Sequence, residues 1–199
     1  MKSNLNLNKS DGIVTLERLS SKNAELVLSW RNSDKVRANS LDERKIQLSE
    51  HLEFIENSYE KKRHFFVVNI HNEPQGIFNV NEIGDTTGLW GCYLSSTNTI
   101  RPGVFSLMVG LSGKLAFEEL QLQNLRSEVL AQNIAPQRLN DYLGVTRAGC
   151  RIEKRTSTSS VDVICYDLSN SDWDDILVKI DKLLSSRIRE SLNAVRFPR

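Results

Sequence analysis

The stretch NTIRPGVFSLMVGLSGKLAFEELQLQNLRSEVLAQN, residues 98–133, joins the features that decide the fold. A Pro-Gly turn at residues 102–103 precedes an amphipathic helix predicted over residues 106–122, and a strand-like run follows the helix. A turn of this kind has two uses: it begins a helix, or it also exposes backbone N–H groups that hold a phosphate. The turn alone leaves both interpretations open.

Short periodic elements flank this stretch on both sides. The patterns before it predict a strand, two helices and three β-rich runs, at residues 12–19, 23–32, 48–62, 64–70, 74–83 and 88–96. The patterns at its end and beyond predict a strand, a short helix, a closing strand pair and one long amphipathic helix, at residues 124–133, 135–144, 145–153, 159–168 and 171–195. This order is typical of an α/β sandwich on one mixed, mostly antiparallel central sheet flanked by helices.

The pattern divides the chain into three parts. Residues 1–11 are polar and predict a mobile N-terminal tip, residues 12–168 predict one domain, and residues 169–199 predict a C-terminal helical extension. Apolar residues recur at intervals of three and four along the extension. It therefore either covers the sheet of its own chain or pairs with a second copy in a homodimer.

The composition argues against several classes of protein. The 199 residues carry a formal net charge of +1, which gives no general attraction to nucleic acid or to an anionic membrane. Cys92, Cys150 and Cys165 form no Cys-x-x-Cys pair, and the three histidines lack a ligand spacing with them, so we expect free thiols and no metal. The sequence shows no secretory signal and no membrane-spanning run. We therefore expect a cytoplasmic protein.

Six segments, in this order, carry a resemblance to a known family. They are LSWRNSDKVR (28–37), LSEHLEFIE (48–56), LWGCYLS (89–95), LAFEELQLQNLRSEVLAQN (115–133), LNDYLGVTRAGCRIE (139–153) and DVICYDLSNSDW (162–173). Together they resemble the GNAT superfamily of acetyl-coenzyme A-dependent N-acetyltransferases. Within it they look like the branch that acetylates nucleotide-linked amino sugars, such as the UDP-4-amino-4,6-dideoxy-N-acetyl-altrosamine N-acetyltransferases of pseudaminic acid synthesis. The resemblance implies acetyl-CoA as co-substrate and direct transfer in a ternary complex.

The resemblance also implies a use for the Pro-Gly turn, which in this superfamily binds the pyrophosphate of coenzyme A through backbone N–H groups. The turn residues concerned are Arg101, Gly103, Val104, Phe105 and Ser106. Phe105 departs from the family pattern, which has Gly or Ala at that position. A Phe keeps its backbone N–H donor, although its bulk narrows the approach of the phosphates.

By the same resemblance, the thioester lies where the strand at 89–95 parts from the strand at 124–130. Backbone groups of Cys92, Tyr93 and Leu94 are then expected to hold the pantetheine, and Asn133 at the start of the next helix completes the coenzyme site. Cys92 has no His partner in the sequence pattern, so we do not expect a covalent role for its thiol.

Two residues are catalytic candidates by resemblance. Glu128 lies on the strand that faces the acceptor amine, where it accepts a proton directly or through a water, or else is a salt-bridged strand residue. Asn140 stands where many members carry a Tyr that protonates the departing sulfur. An amide cannot act as an acid, and Tyr142 points to another side of the helix. The sulfur is then expected to leave unprotonated or to take a proton from water.

Five residues match the acceptor pocket of the family: Arg31, His51, Phe54, Tyr93 and Trp173. A forked guanidinium suits a pyrophosphate, His or Trp rings stack on a base, and Phe54 and Tyr93 supply an apolar wall. For three of these residues a purely structural role is also consistent with the sequence. Arg31 would form a surface ion pair, His51 would be a half-exposed residue of its helix, and Trp173 would anchor the C-terminal helix.

Two other functions remain open at this point. The segment SEVLAQNIAPQRLNDYLGV (127–145) also looks like acetyltransferases of protein N-termini and ribosomal proteins, for which we expect an open groove. Phe105 and Asn140 motivate a third interpretation, a non-catalytic binding module on a degenerate acetyltransferase fold. Loss of coenzyme A binding favours that third interpretation.

Overall fold

The computed structural model describes residues 13–58, 60–96, 99–156 and 159–198. The predicted mobile tip, residues 1–11, lies outside the described residues. The strands are β1 (Val14–Arg18), β2 (Arg63–Ile70), β3 (Glu73–Glu82), β4 (Thr87–Leu94), β5 (Asn124–Leu130), β6 (Thr146–Lys154) and β7 (Ser160–Ser169). The helices are α1 (Ala24–Arg31), α2 (Asp34–Ala38), α3 (Leu48–Ser58), α4 (Val104–Gly113), α5 (Ile134–Leu143), α6 (Trp173–Leu183) and α7 (Ser186–Ala194).

The strands form one seven-stranded sheet in the order β1-β2-β3-β4-β5-β7-β6. Neighbouring strands are antiparallel except β4 and β5, which are parallel and are joined by the crossover through α4. The predicted mixed, mostly antiparallel sheet flanked by helices is therefore confirmed. The single parallel pair at its centre positions the candidate site.

Helices cover both faces of the sheet, because successive side chains along a strand point to opposite faces. Phe78 packs in the larger core with α4, α6 and α7, whereas its neighbour Ile77 packs in a smaller core with Val27 and Trp30 of α1. We call these two sides the α4 face and the α1 face. Residues from α1 and α3 are therefore separated by the sheet from the C-terminal helices.

The central helix differs from the expected amphipathic helix over residues 106–122. It begins earlier, at Val104, its α-helical part ends at Gly113, and a π-helical turn continues it from Lys114 to Glu119. Nearly all of α4 is buried, because the sheet covers one side and α6 and α7 cover the other. A helix that is apolar all round is the expected consequence of burial on all sides.

The C-terminal extension is helical and amphipathic as predicted, but it consists of two helices where the sequence predicts one. The chain becomes extended at Leu184 (ψ 144°) and Ser185 (ψ 155°), between α6 and α7. Arg189 satisfies the end of α6 by donating to the carbonyl oxygens of Asp181 (3.0 Å) and Leu184 (3.3 Å). Leu184, at the break, is buried in the main core.

Two glycines let the extension approach α4 closely. A Cβ on Gly113 would lie 2.3 Å from two ring carbons of Trp173, and one on Gly110 would lie 2.9 Å from a Leu192 methyl. Side chains of α6 and α7 thus belong to the main core instead of forming a separate layer. Within the described ranges, no helix is long and apolar enough to cross a membrane.

Candidate active site

The candidate site begins where β4 and β5 part. The two strands pair only from Thr87 opposite Asn124 to Trp90 opposite Ser127. Beyond that point β4 stays paired with β3 as far as Leu94, while β5 stays paired with β7 as far as Leu130. One edge of each strand is therefore left without a β partner, and a wedge-shaped crevice opens in the middle of the sheet.

Two adjoining cavities, of about 300 Å³ and about 120 Å³, occupy this crevice. They share five lining residues, which are Asn39, Cys92, Phe105, Asn133 and Pro136. The larger cavity extends toward α2 and the end of β4. The smaller cavity extends along β5 to α5. Segments distant in the sequence, from α2, β4, α4 and α5, thus surround a single concave site.

The larger cavity is lined by hydroxyl and amide groups together with apolar side chains. Its polar members from α2 and the adjoining loop are Ser33, Lys35, Asn39 and Ser40. Lys35 is exposed and forms no ion pair with the described residues. It is the cationic side chain among the described residues that line this cavity.

The smaller cavity contains both catalytic candidates. Glu128, Ser127 and Trp90 line its strand side, and Asn140 lines its helix side. The Asn140 side chain is 4% exposed, and its amide makes no hydrogen bond with the described part of the chain. A buried amide without a protein partner is unusual, since buried polar groups are normally hydrogen-bonded. The amide is therefore available to a group bound in this cavity.

Glu128 is engaged in an ion pair. Arg151 donates from Nη1 to Oε1 (2.8 Å) and from Nη2 to Oε2 (2.6 Å) of the carboxylate. Hydrogen bonds to Glu128 and then to Glu153 raise the pKa of the Arg151 guanidinium. The Glu128 side chain is still 32% exposed, so the lone pairs that Arg151 does not use remain accessible from the cavity.

The turn before α4 leaves backbone N–H groups open at the start of the helix. Gly103 adopts the left-handed region (φ +82°), and α4 begins at Val104 without a side-chain cap. The first helical hydrogen bond runs from Leu107 N–H to the Gly103 carbonyl (2.9 Å). No acceptor among the described residues takes the N–H groups of Phe105 and Ser106, and the Phe105 ring lines both cavities.

Arg101 is turned toward β3 in this structure. Its Nη2 donates to Glu73 Oε2 (2.8 Å), and its backbone N–H donates to Gln75 Oε1 (2.9 Å). The expected contact from Arg101 to a phosphate therefore competes with an existing ion pair. Lys35 on α2 is a second cation beside the crevice, and sequence reasoning did not identify it.

The β4 residues expected to hold the pantetheine lie in the crevice wall. Cys92, Tyr93 and Leu94 all pair with β3 on one side and line the larger cavity. Burial raises the pKa of the Cys92 thiol to about 12, so at neutral pH this thiol is protonated and a weak nucleophile. Burial also raises the pKa of the Tyr93 hydroxyl, an effect that the nearby charge of Arg31 opposes.

Four of the five predicted acceptor residues lie together on the α1 face. Burial and then the Arg31 charge lower the pKa of His51, whose ring stacks on Phe54 at a centroid distance of 6.4 Å. His51 is 6% exposed, in contrast to the half-exposed position expected from the helical pattern. Arg31 donates from Nη2 to the Asp42 carbonyl (2.6 Å), while its Nη1 is buried and has no hydrogen-bond partner among the described residues. Of the four, Tyr93 reaches the larger cavity.

Trp173 lies on the other side of the sheet. Its ring packs against Phe117 (centroid distance 5.5 Å) and Gly113, and only 4% of the residue is exposed. Its indole N–H points to Glu118 (3.4 Å). Trp173 lines neither cavity, so we leave it out of the acceptor site, in correction of the sequence interpretation. The amphipathic pattern of the extension, which buries Trp173 against α4, is the physical reason.

Several site residues were missed because α2 was not predicted. The segment SDKVR (33–37) did carry a local signal, since Ser33 accepts a hydrogen bond from Val36 N–H (3.4 Å) as an N-cap and Asp34 follows in the first turn. Five residues are too few for a hydrophobic period to be recognised. No comparable local signal marks Ser95, Ser96 or Pro136, which line the larger cavity through the fold alone.

Comparisons with known proteins agree with this architecture. No model of a known protein family matches the sequence. No curated protein matches it either. Among solved structures, the spermidine N-acetyltransferase from Vibrio cholerae, in complex with CoA and spermine, superposes with a TM-score of 0.73 at 16% identity, over 81% of this chain and 98% of that chain.

A second solved structure, the Campylobacter jejuni N-acetyltransferase PseH, superposes with a TM-score of 0.57 at 19% identity. The match covers 79% of this chain and 98% of that chain. Both similarities extend over nearly the whole of the known protein. The chain therefore has the GNAT fold of these N-acetyltransferases.

Proposed function

We propose that this protein is an acetyl-CoA-dependent N-acetyltransferase whose acceptor is the amine of a nucleotide-linked amino sugar. The observation that carries the proposal is the crevice between β4 and β5, with the unpartnered amide of Asn140 in its wall. A concave crevice whose wall carries an amide without a hydrogen-bond partner among the described residues suits a bound ligand with polar groups.

The described residues fit acetyl-CoA as a co-substrate. The open edge of β4 at Cys92–Leu94 offers backbone groups to the amides of a pantetheine arm. The N–H groups of Phe105 and Ser106 at the start of α4 offer donors to a pyrophosphate, with Gly103, Val104 and Asn133 completing the site. Lys35 supplies a cation beside the crevice, and Arg101 can do so if it leaves Glu73.

In the proposed reaction a C–N bond forms between the acyl carbon and the neutral amine, and the C–S bond breaks. Glu128 accepts the proton that the amine loses, while Arg151 holds the carboxylate in one orientation. The Asn140 amide donates a hydrogen bond to the charge that develops on the acyl group or the departing sulfur. Cys92 takes no part, because its thiol remains protonated.

The charges around the crevice favour a nucleotide-linked acceptor over a polyamine. A polyamine cation needs carboxylates, but Glu128 is neutralised by Arg151, and no other carboxylate lies among the described residues that line the two cavities. Lys35 lines the larger cavity, and the charge of Arg31 acts on Tyr93 in its wall, so this region is cationic instead. A nucleoside diphosphate group suits such surroundings, since Arg and Lys bind phosphates.

Two measurements test the proposal in order. The first is the melting temperature with and without acetyl-CoA. A ligand at about 100 times its Kd adds roughly 2.7 kcal/mol to the free energy of unfolding, which raises the Tm of a domain of this size by several degrees. Absence of a shift at saturating acetyl-CoA contradicts the proposal and favours a non-catalytic module with a site closed by Phe105.

The second measurement compares acetyl transfer to three amines, by following the release of free coenzyme A thiol. The amines are a UDP-linked 4-amino-4,6-dideoxy sugar, spermidine, and a peptide with a free N-terminus. We expect transfer to the UDP-linked sugar. Preference for the peptide identifies the protein-acetylating alternative, and preference for spermidine contradicts the charge argument.

A further inference from the structure

The wall of the crevice opposite β4 is a short segment with little structure of its own. We call residues 34–44 the strap. It contains α2 and the loop that follows, and its residues Val36, Asn39 and Ser40 line the larger cavity. No residue of α2 is buried, so the strap lacks an apolar core to hold it in place. Its position must come from polar contacts with other segments.

Arg155 provides the densest set of these contacts. It follows directly after β6, and its Nη2 donates to the backbone carbonyl oxygens of Arg37 (3.1 Å), Ala38 (3.0 Å) and Ser40 (2.8 Å). Arg37 and Ala38 belong to the last turn of α2 and Ser40 to the loop that follows, and the Arg37 carbonyl also accepts from Ser40 N–H (3.1 Å). A guanidinium is suited to satisfy these carbonyl groups, because its charge also favours the C-terminal end of a helix.

The Arg155 side chain is buried for an arginine, at 9% exposure, and its charge is compensated by the strap itself. Its Nε lies 3.1 Å from Glu43 Oε2. Next to it, Glu43 N–H donates to Thr156 Oγ1 (3.4 Å). From the other side of the crevice, Gln132 donates to the Ala38 carbonyl (2.8 Å). The strap is thus fastened to segments that follow β5 and β6, on the far side of the parted strands.

We propose that Arg155 is a positioning residue that holds the strap over the crevice as the wall of the acceptor site. The inference rests on the proposed function for the identity of that site. It assigns to Arg155 no contact with the reacting atoms. Its effect is to keep Val36, Asn39 and Ser40 in one arrangement. Asn39 also lines the smaller cavity, where the acceptor amine is proposed to react, so the acceptor meets a formed wall instead of a mobile loop.

The test compares Arg155→Met and Arg155→Lys with Arg126→Met as the matched control. Arg126 is also an arginine on this sheet with one acidic partner, Asp167 (Nε–Oδ1 3.0 Å), but it is 55% exposed and lines neither cavity. Hydrogen exchange is measured over residues 36–44 and over α4. Acceptor KM and kcat are measured with the amine that the transfer assay identifies, and the Kd of coenzyme A is measured separately.

For Arg155→Met we expect exchange over residues 36–44 to accelerate by at least about tenfold, with α4 unchanged, because only the strap is released. We expect acceptor KM to rise by about tenfold with kcat changed by less than about threefold. Arg155→Lys keeps a cation that cannot reach three carbonyl groups at once, so both effects should be intermediate. Arg126→Met should match the wild type in both measurements.

Two results overturn the inference. Unchanged exchange in the strap means that Arg155 does not hold it, and faster exchange with unchanged KM means that the strap does not form the acceptor wall. If Arg155→Met loosens α4 as well, it has unfolded the domain, and Arg155→Lys decides by the same two readouts. The exchange measurement does not need activity, so it tests the contact between Arg155 and the strap even in an inactive protein. A wild type that transfers no acetyl group refutes the proposed function. It also refutes the role of the strap as an acceptor wall, whatever the exchange result shows about Arg155.

Discussion

Arg151 reaches over strand β7 and holds both carboxylate oxygens of Glu128, with Nη–Oε distances of 2.8 and 2.6 Å. The pair borders the smaller cavity, where the acceptor amine is proposed to react. Such a pair has two possible roles. It is either a structural link across the sheet, or it is a proton acceptor whose orientation is set by an arginine.

Substitution of the two partners separates these roles. We expect Glu128→Gln to lower kcat by about 100-fold, since it removes the proton acceptor, with unchanged affinity for coenzyme A. Arg151→Met keeps the carboxylate, so its kcat should fall by less than about tenfold. Steady-state kinetics of both variants provide the measurement. Equal, small effects in the two variants would show that the pair is structural.

Asn140 gives a second catalytic prediction. Its amide is buried in the smaller cavity and has no partner among the described residues, so we expect Asn140→Ala to lower kcat by at least about tenfold through loss of a donor to the developing charge. Arg138→Ala, at an exposed position of the same helix, is the control and should retain wild-type rates. A wild-type kcat in Asn140→Ala would exclude Asn140 from the reaction.

Cys92 gives a prediction that separates direct transfer from a covalent route. Because burial raises the pKa of its thiol to about 12, the thiol is not ionised at neutral pH. We therefore expect Cys92→Ala to retain kcat within about threefold. Mass spectrometry of the wild type incubated with acetyl-CoA alone should detect no acetyl group on the peptide that contains Cys92. An acetylated Cys92 that is consumed on addition of the amine would establish a covalent intermediate.

The burial of His51 leads us to expect that the folded protein becomes less stable in acid. Burial and the Arg31 charge lower its pKa in the folded state, so the unfolded chain binds a proton that the folded chain does not. The contribution of His51 is fully present above its unfolded pKa of about 6.5 and is lost as the pH falls below that value. Denaturant unfolding between pH 7 and pH 5 should show a shallower decline for His51→Gln than for the wild type. Parallel declines would mean that folding does not lower the pKa of His51.

The packing of the Trp173 ring against Gly113 leads to a prediction about the stability of the fold. A Cβ on Gly113 would lie 2.3 Å from its ring, so we expect Gly113→Ala to lower the free energy of unfolding by about 1–3 kcal/mol through overpacking. The same substitution in a Trp173→Ala background should cost less, because the ring is gone and the effects are coupled. The denaturation midpoints of the wild type, the two single variants and the double variant measure this coupling. An additive result would place the ring away from Gly113.

Local patterns in the sequence predicted most of the sheet and its helices. Alternation of apolar residues predicted the seven strands, and helical periods predicted α1, α3 and α5 within a few residues of their observed ends. The helix predicted over residues 106–122 corresponds to α4 together with the π-helical turn that follows it. The short α2 was missed because five residues hold less than two helical turns. The break in the C-terminal helix was missed because Ser185 and Ser186 interrupt no apolar period.

The sequence by itself thus determined the order of elements, the Pro-Gly turn before α4 and the resemblance that identified β4 and β5 as the site. Only the tertiary structure decided which side chains share that site. It paired Glu128 with Arg151, moved Trp173 to the opposite face, and brought Arg155 onto Ser40, 115 residues away in the chain. The physical reason is that sequence periodicity indicates which face of an element is apolar. Hydrogen bonds and ion pairs between elements depend on the distances between those elements, and these distances are set only when the helices pack on the sheet.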